Sequence, residues 1–362
     1  MLRPFLLFAL IASMLFVDVV ALGGEPMAIR RWPDGKLTVE TFAGQEITFK
    51  TDGAWQITDP GDASDTGHDS LKVETVTLGD DSVGAAHIEA LGVHAIIVSG
   101  ASLSRNWNAE LPESLAADVL VIGGEDVDRL KTPQVKRLIE KLDPPRILLS
   151  GLDPDSDTFA EVAKWMLGED QTRHVTHNTI AVGSSHSDPI EREIIALTDT
   201  AWEMPDDVDE LFTAMEKSCE ASQKVFAELT VQQMNFKPAN GTHTPRWNAE
   251  HMVGRQLQFF SQIYHAIDPA VPVMDFNPKQ MPPDYDAAHP DWSGADEARR
   301  MSHVSDFCRR FAYLLDGIKP NEKAPGSRWP TLGALLKQMD RHYDEHTANT
   351  VKKFDLPNWP GK

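Results

Sequence analysis

The sequence predicts an α/β N-terminal domain followed by an all-α four-helix bundle. Three observations carry that expectation. Short continuous apolar runs alternate with helical stretches up to about residue 182, the pattern of strands covered on both faces. Long segments of helical period follow from Asp206 onward, with no strand pattern among them. Hydrophobic residues make up 41% of the 362 residues, enough for sizeable packed cores in more than one domain.

In chain order, Arg3 and the apolar run Phe5–Val17 resemble the n- and h-regions of an export signal, and Val19 and Ala21 stand at the −3 and −1 spacing of a cleavage site. Residues 1–21 are therefore expected to be a signal peptide, with an uncleaved anchor as the alternative. The run is shorter than the ~20 residues that span a bilayer, and no second one follows. The mature chain is expected to be exported, periplasmic or extracellular, with no stable membrane span.

Residues 27–183 form the expected α/β domain. Leu37–Thr41 and Gln45–Lys50 flank Ala43-Gly44 as a hairpin. Lys72–Leu78, His94–Val98, Asp118–Ile122, Arg146–Ser150 and Thr176–Val182 read as further strands, and stretches near 83–91, 132–142 and 157–167 as helices. Residues 184–205 read as a linker in which Ile190–Leu197 is a short helix or strand. Helices are then predicted over about 208–229, 248–267, 295–317 and 332–354, with a Pro-rich connection from Pro269 to Gly294.

The net charge of −21, with no basic run, excludes the phosphate-neutralising stripe that nucleic acid requires. The acidity is read as a solvated surface. Cys219 and Cys308 are the two cysteines, so a thiolate zinc site is excluded; they form either one inter-helix disulfide or two buried thiols. Neither a P-loop, a dinucleotide fingerprint nor a nucleophile elbow occurs, and Ser102, Ser104, Ser184 and Ser185 lack the last setting.

The chemistry-bearing motif is histidine. His342 and His346 form an HxxxH pair, one turn apart on one helix face. His251, on the second predicted helix, can supply a third imidazole if that helix neighbours the fourth. Three imidazoles suit a divalent cation, Zn or Ni, and leave coordination positions open to water or a small-molecule substrate. Glu250 and Asp344 adjoin these residues but point about 100° away, so orientation of a ligand or solvent exposure is expected of them. Arg255 is expected on a solvated face, or against an anion if it turns inward. His303 is a minor candidate for the same cavity; His243, His265 and His289 are expected to be solvated.

Trp247-Asn-Ala-Glu-His251, the preceding Phe236-Lys-Pro238 and Asp340–His346 resemble the DinB/YfiT-like superfamily of metal-binding four-helix bundles. The resemblance covers roughly residues 206–356. It implies a metal held by His251, His342 and His346, and an activity as a metal-dependent hydrolase or a thiol S-transferase. An exported protein meets few reduced thiols, which favours the former. Homodimers are common among such bundles, so one is expected here. The alternative is a non-catalytic binding or interaction protein whose histidine triad is empty or structural.

Ala117–Gly124, Lys136–Ser150 and Phe159–Trp165 resemble the metallo-β-lactamase-like fold. Its HxHxDH run is missing: His68 and His94 lack the spacing, and Ser150-Gly151 stands where a metal-binding histidine would follow the strand. This implies a degenerate domain without a dinuclear centre, serving as scaffold or binding module. Gly123-Gly124 is read as a tight turn.

Overall fold

The computed structural model of the chain describes residues 25–50, 55–58, 71–77, 84–90, 92–98, 115, 117–123, 127–168, 172–175, 177–184 and 192–361. The expected signal peptide, His68, Ser102, Ser104, Ser185 and Gly124 lie outside them. The protein is mixed α/β, with two sheets and eight α-helices among the described residues.

The first sheet is antiparallel. Its strands are β1 (Met27–Arg31), β2 (Leu37–Glu40), β3 (Glu46–Phe49), β4 (Trp55–Thr58) and β11 (Thr179–Val182), in the order β11-β1-β2-β3-β4. The second has seven strands in the order β10-β12-β9-β8-β7-β6-β5. Here β5 (Lys72–Thr77), β6 (Gly84–Ala90) and β7 (Val93–Val98) pair antiparallel, while β7, β8 (Val119–Gly123), β9 (Arg146–Ser150), β12 (Glu193–Leu197) and β10 (Thr172–Val175) run parallel.

The sheets face each other across a core of Met27, Ile29, Val39 and Ile47 from one and Ile88, Val119, Val121, Leu148 and Ile195 from the other. Strand alternation sends the intervening residues Leu120, Ile122, Ile147, Leu149 and Ile194 to the opposite face. There they meet α2 (Pro133–Leu142) and α3 (Asp157–Leu167). Val135, Leu138, Ile139 and Leu142 recur at helical spacing and are buried, which explains why α2 was legible. The Ser156 side chain caps α3 by accepting the Phe159 N–H at 3.1 Å. The short α1 (Val127–Leu130) precedes them.

Two expectations are corrected. The helix predicted near 83–91 is strand β6. Its residues pair on both sides, Ala85 to Ala90 against Val98 to Val93, and Gly92 at φ 77° closes a two-residue turn of the kind that needs a positive φ. Sheet pairing here overrides the alanine-rich helical propensity. The linker predicted over 184–205 contains β12, whose Ile194–Leu197 run is wholly buried between β9 and β10. The α/β unit therefore closes after Leu197.

Four long helices follow: α4 (Asp206–Ala227), α6 (Pro245–Ile267), α7 (Gly294–Arg310) and α8 (Leu332–Val351), with the single turn α5 (Val231–Met234) between the first two and a 3-10 turn at Ala312–Leu315. Helix α4 packs on α7 and α8, and α6 packs on the same two, so α4 and α6 stand diagonal. Thr244 and Thr331 cap α6 and α8 through the N–H groups of Trp247 and Ala334. Cys219 and Cys308 are free thiols buried in the helical core, which decides between the two readings of them. No helix among the described residues is long and apolar enough to cross a membrane.

The helices do not hang from a linker. Ala28, Phe42 and Ala181, on the outer side of the five-stranded sheet, share the helical core, and the Phe42 ring lies 5.4 Å from Phe307 and 5.9 Å from Phe276. Buried Arg146 of β9 reaches Asp268, just past α6, at 2.6 Å and the Ala181 carbonyl at 2.7 Å. Gly183 passes so close to the Ala270 carbonyl that a Cβ would sit 1.9 Å from its oxygen. The layers thus run α2/α3, seven-stranded sheet, five-stranded sheet, helices.

Candidate metal centre

The contact between α6 and α8 decides where the histidines go. His251 comes from the second turn of α6, His342 and His346 from consecutive turns of α8. The ring centroids stand 4.9 Å (251 to 342), 5.0 Å (251 to 346) and 4.6 Å (342 to 346) apart. One ring nitrogen from each lies within 4.8 Å of the others. Two ~2.1 Å Zn–N bonds span at most ~4.2 Å, so small ring rotations bring all three onto one ion. Among the described residues no other group of three or more His, Cys, Asp or Glu is so placed.

Burial sets their protonation. Loss of solvent, then the neighbouring imidazoles, lowers the His251 pKa to about 3. Loss of solvent, then His346 and Arg255, lowers that of His342 to about 3. His346 is lowered as well, first by burial. Neutral rings with free lone pairs are the form that binds metal. Nδ1 of His251 is buried without a hydrogen-bond partner. A polar atom left so costs free energy unless something occupies the site. The donor set and this atom fit a divalent cation.

The surroundings fix two of the rings. Asn248, three residues before His251, places Oδ1 2.9 Å from His346 Nδ1, while its amide nitrogen donates to Thr350 Oγ1 at 3.0 Å. Because the amide donates to Thr350, its oxygen accepts the His346 Nδ1 proton, and the lone pair is left on Nε2. The Trp247 indole stacks on His251 at 4.5 Å and 9°, and is itself held by its N–H donating to the Gln280 carbonyl at 3.0 Å.

The remaining candidates fall elsewhere. Glu250 is neither solvated nor turned to the cluster: its carboxylate accepts from Asn277 Nδ2 (3.0 Å), Tyr285 OH (3.1 Å) and the Ala288 N–H (3.0 Å), pinning the Pro-rich connection. Asp344 is exposed. Arg255 is half-buried, donates to Gln258 Oε1 at 3.0 Å, and its charge reaches His251 and His342. His303 lines a different cleft with Glu25 and Arg300, which corrects its placement at the histidine cavity. His243 is exposed but stacks on Trp247 at 3.7 Å; His289 stacks on Trp292 at 3.9 Å; His265 Nδ1 lies 2.9 Å from the Val271 carbonyl. These three are engaged rather than free in solvent. In the α/β part, His94 Nδ1 lies 3.2 Å from His87 Nε2, and Ser150-Gly151 ends β9 without an imidazole.

Sequence reasoning missed Asn248 and Lys353. Each carried a signal: Asn248 stands at i−3 to His251, and Lys353 at i+7 to His346, the spacing of a shared helix face.

No family model and no curated protein matches the chain. Among solved structures it is similar to a Thermotoga maritima protein of the metallo-β-lactamase superfamily, assigned there as a Zn-dependent hydrolase. That likeness has 14% identity, covers 47% of this chain and 98% of the other, and has a TM-score of 0.25. A score of that size does not establish a common fold.

Proposed function

We propose that the chain is a divalent-metal-dependent hydrolase whose ion is held by His251, His342 and His346, with Zn or Ni as the metal. The observation that carries this reading is the convergence of three imidazoles from two facing helices, two of them buried and neutral and the third, His346, half-buried. When bound, such a cation polarises a substrate carbonyl or raises the acidity of water at its open positions. The chain's own residues do the rest. Asn248 holds His346 in one tautomer, Trp247 fixes the plane of His251, and burial of the cluster keeps competing protons away.

The same proposal assigns α4, α6, α7 and α8 to the DinB/YfiT-like kind, on Trp247, His251 and the HxxxH pair. It assigns the two-sheet part to a degenerate metallo-β-lactamase-like scaffold, supported by facing sheets with helices outside them. Export, removal of residues 1–21 and homodimer formation belong to the proposal too. Metal analysis of the purified protein tests its centre. About one equivalent is expected in the wild type and about a tenth or less in His342→Ala. Equal, near-zero content in both sinks the hydrolase reading and leaves a binding protein.

A further inference from the structure

A cavity of about 420 Å³ opens beside the cluster, and His346, Trp247 and Asn248 are among the residues that line it. That volume lies in the ~300–1,000 Å³ range of small-molecule sites. His243, Asn349, Lys352 and Lys353 line it as well. No carboxylate lines it, in a chain of net charge −21.

Lys353 is the telling residue. It is 4% exposed, yet no carboxylate pairs with it among the described residues. Its Nζ donates to the Asn349 carbonyl at 2.6 Å. An ammonium has three protons, so two are left for something in the cavity. A buried ammonium without a counter-charge is costly. Its charge reaches both His243 and His346, which line the same cavity. The side chains beside it, Asn240, Thr242 and Asn349, offer neutral polar groups, and Trp247 and Leu356 offer apolar surface.

From this arrangement we infer that the cavity is the substrate pocket of the metal centre and takes a small organic carboxylate. The carboxylate sits on Lys353 and its uncharged body lies against Trp247, towards His346. Lys352 also lines the cavity but is exposed, so Lys353 is the one buried ammonium there, and a single buried positive charge favours a carboxylate over a phosphate dianion. The inference rests on the metal-centre reading for the pocket's role, not for its charge preference.

Calorimetric titration of the full chain with benzoate, benzamide and phenyl phosphate tests it. Benzoate is expected to bind about tenfold or more tightly than benzamide, and more tightly than phenyl phosphate. Lys353→Met is expected to remove the preference for benzoate over benzamide, and Lys353→Arg to keep it. Equal binding of benzoate and benzamide by the wild type overturns the proposal, even if Lys353→Met fails to fold. Tighter phenyl phosphate binding overturns the carboxylate assignment. His342→Ala, which removes a proposed metal ligand but no cavity wall, separates the two ideas. If it loses metal and keeps the benzoate preference, both stand. If neither it nor the wild type holds metal while the preference persists, the metal reading fails and the carboxylate pocket survives.

Discussion

Asn248 bridges His346 and Thr350, accepting from the imidazole Nδ1 at 2.9 Å and donating to the hydroxyl at 3.0 Å. One amide on α6 thereby sets the tautomer of a ring on α8. The inter-helix contact that brings the three histidines together also orients one of them.

Asn248→Ala is expected to weaken metal affinity by about 10–100-fold, the usual cost of losing a partner that orients a ligand. Competition against a chromophoric chelator reads the change. The fold should hold, because an alanine is compatible with a helix interior. An affinity within about twofold of wild type would show that the bridge does nothing for the metal.

The metal-free protein should lose stability in acid. His251 and His342 titrate near 3 when folded, against about 6.5 in an unfolded chain. Between those values the unfolded state binds protons that the folded state refuses. The contribution of the two rings is therefore fully present above about pH 6.5 and drains as the pH falls towards 3. Thermal unfolding of the chelator-treated protein at pH 7 and pH 5 should show a lower midpoint at pH 5. A His251→Gln/His342→Gln double variant should show a smaller drop. A midpoint as pH-sensitive in the variant as in the wild type contradicts the assignment.

The legibility of this chain divides along physical lines. The α2, α3 and α8 patterns read correctly because each buries one face, and α3 and α8 are also capped by Ser156 and Thr331 while α2 opens on Pro133, signals that are local in sequence. Parallel strands β8 and β9 read correctly because burial on both faces leaves a continuous apolar run. Strand β6 did not: Ala85, Ala86 and Ala90 favour a helix, and it is pairing with β5 and β7 on either side that holds them extended. Strand β12 was left open between a short helix and a strand, because its partners β9 and β10 pair with it from earlier in the chain. The histidine cluster was legible as a set, since HxxxH spacing is local. Its supporting cast was not, because Trp247's role depends on the Gln280 carbonyl, 33 residues away.

Glu250, although next to His251, is predicted to matter for the Pro-rich connection and not for the metal. Its removal takes the acceptor from the Tyr285 hydroxyl and the Ala288 N–H and leaves the Asn277 amide with the Asp286 carbonyl alone. Glu250→Ala should cost about 3 kcal/mol of stability. It should also raise hydrogen exchange at Ala288 and leave metal affinity within about threefold of wild type. A loss of metal with exchange unchanged would move Glu250 into the centre itself.

Arg146 ties the sheets to the helices. Its guanidinium, 2% exposed, lies 2.6 Å from Asp268 and 2.8 Å from Glu193, and donates to the Ala181 carbonyl. Removing one member of a buried pair strands the other, at about 3–5 kcal/mol. Arg146→Met and Asp268→Leu should each destabilise by that order, and the double variant by less than the sum, because neither charge is then left alone. The wild type should unfold in one transition seen equally by near-ultraviolet and far-ultraviolet dichroism, since the five-stranded sheet and the helices share a core. Two separate transitions, with Arg146→Met shifting only the first, would mean that the helices fold without the sheets.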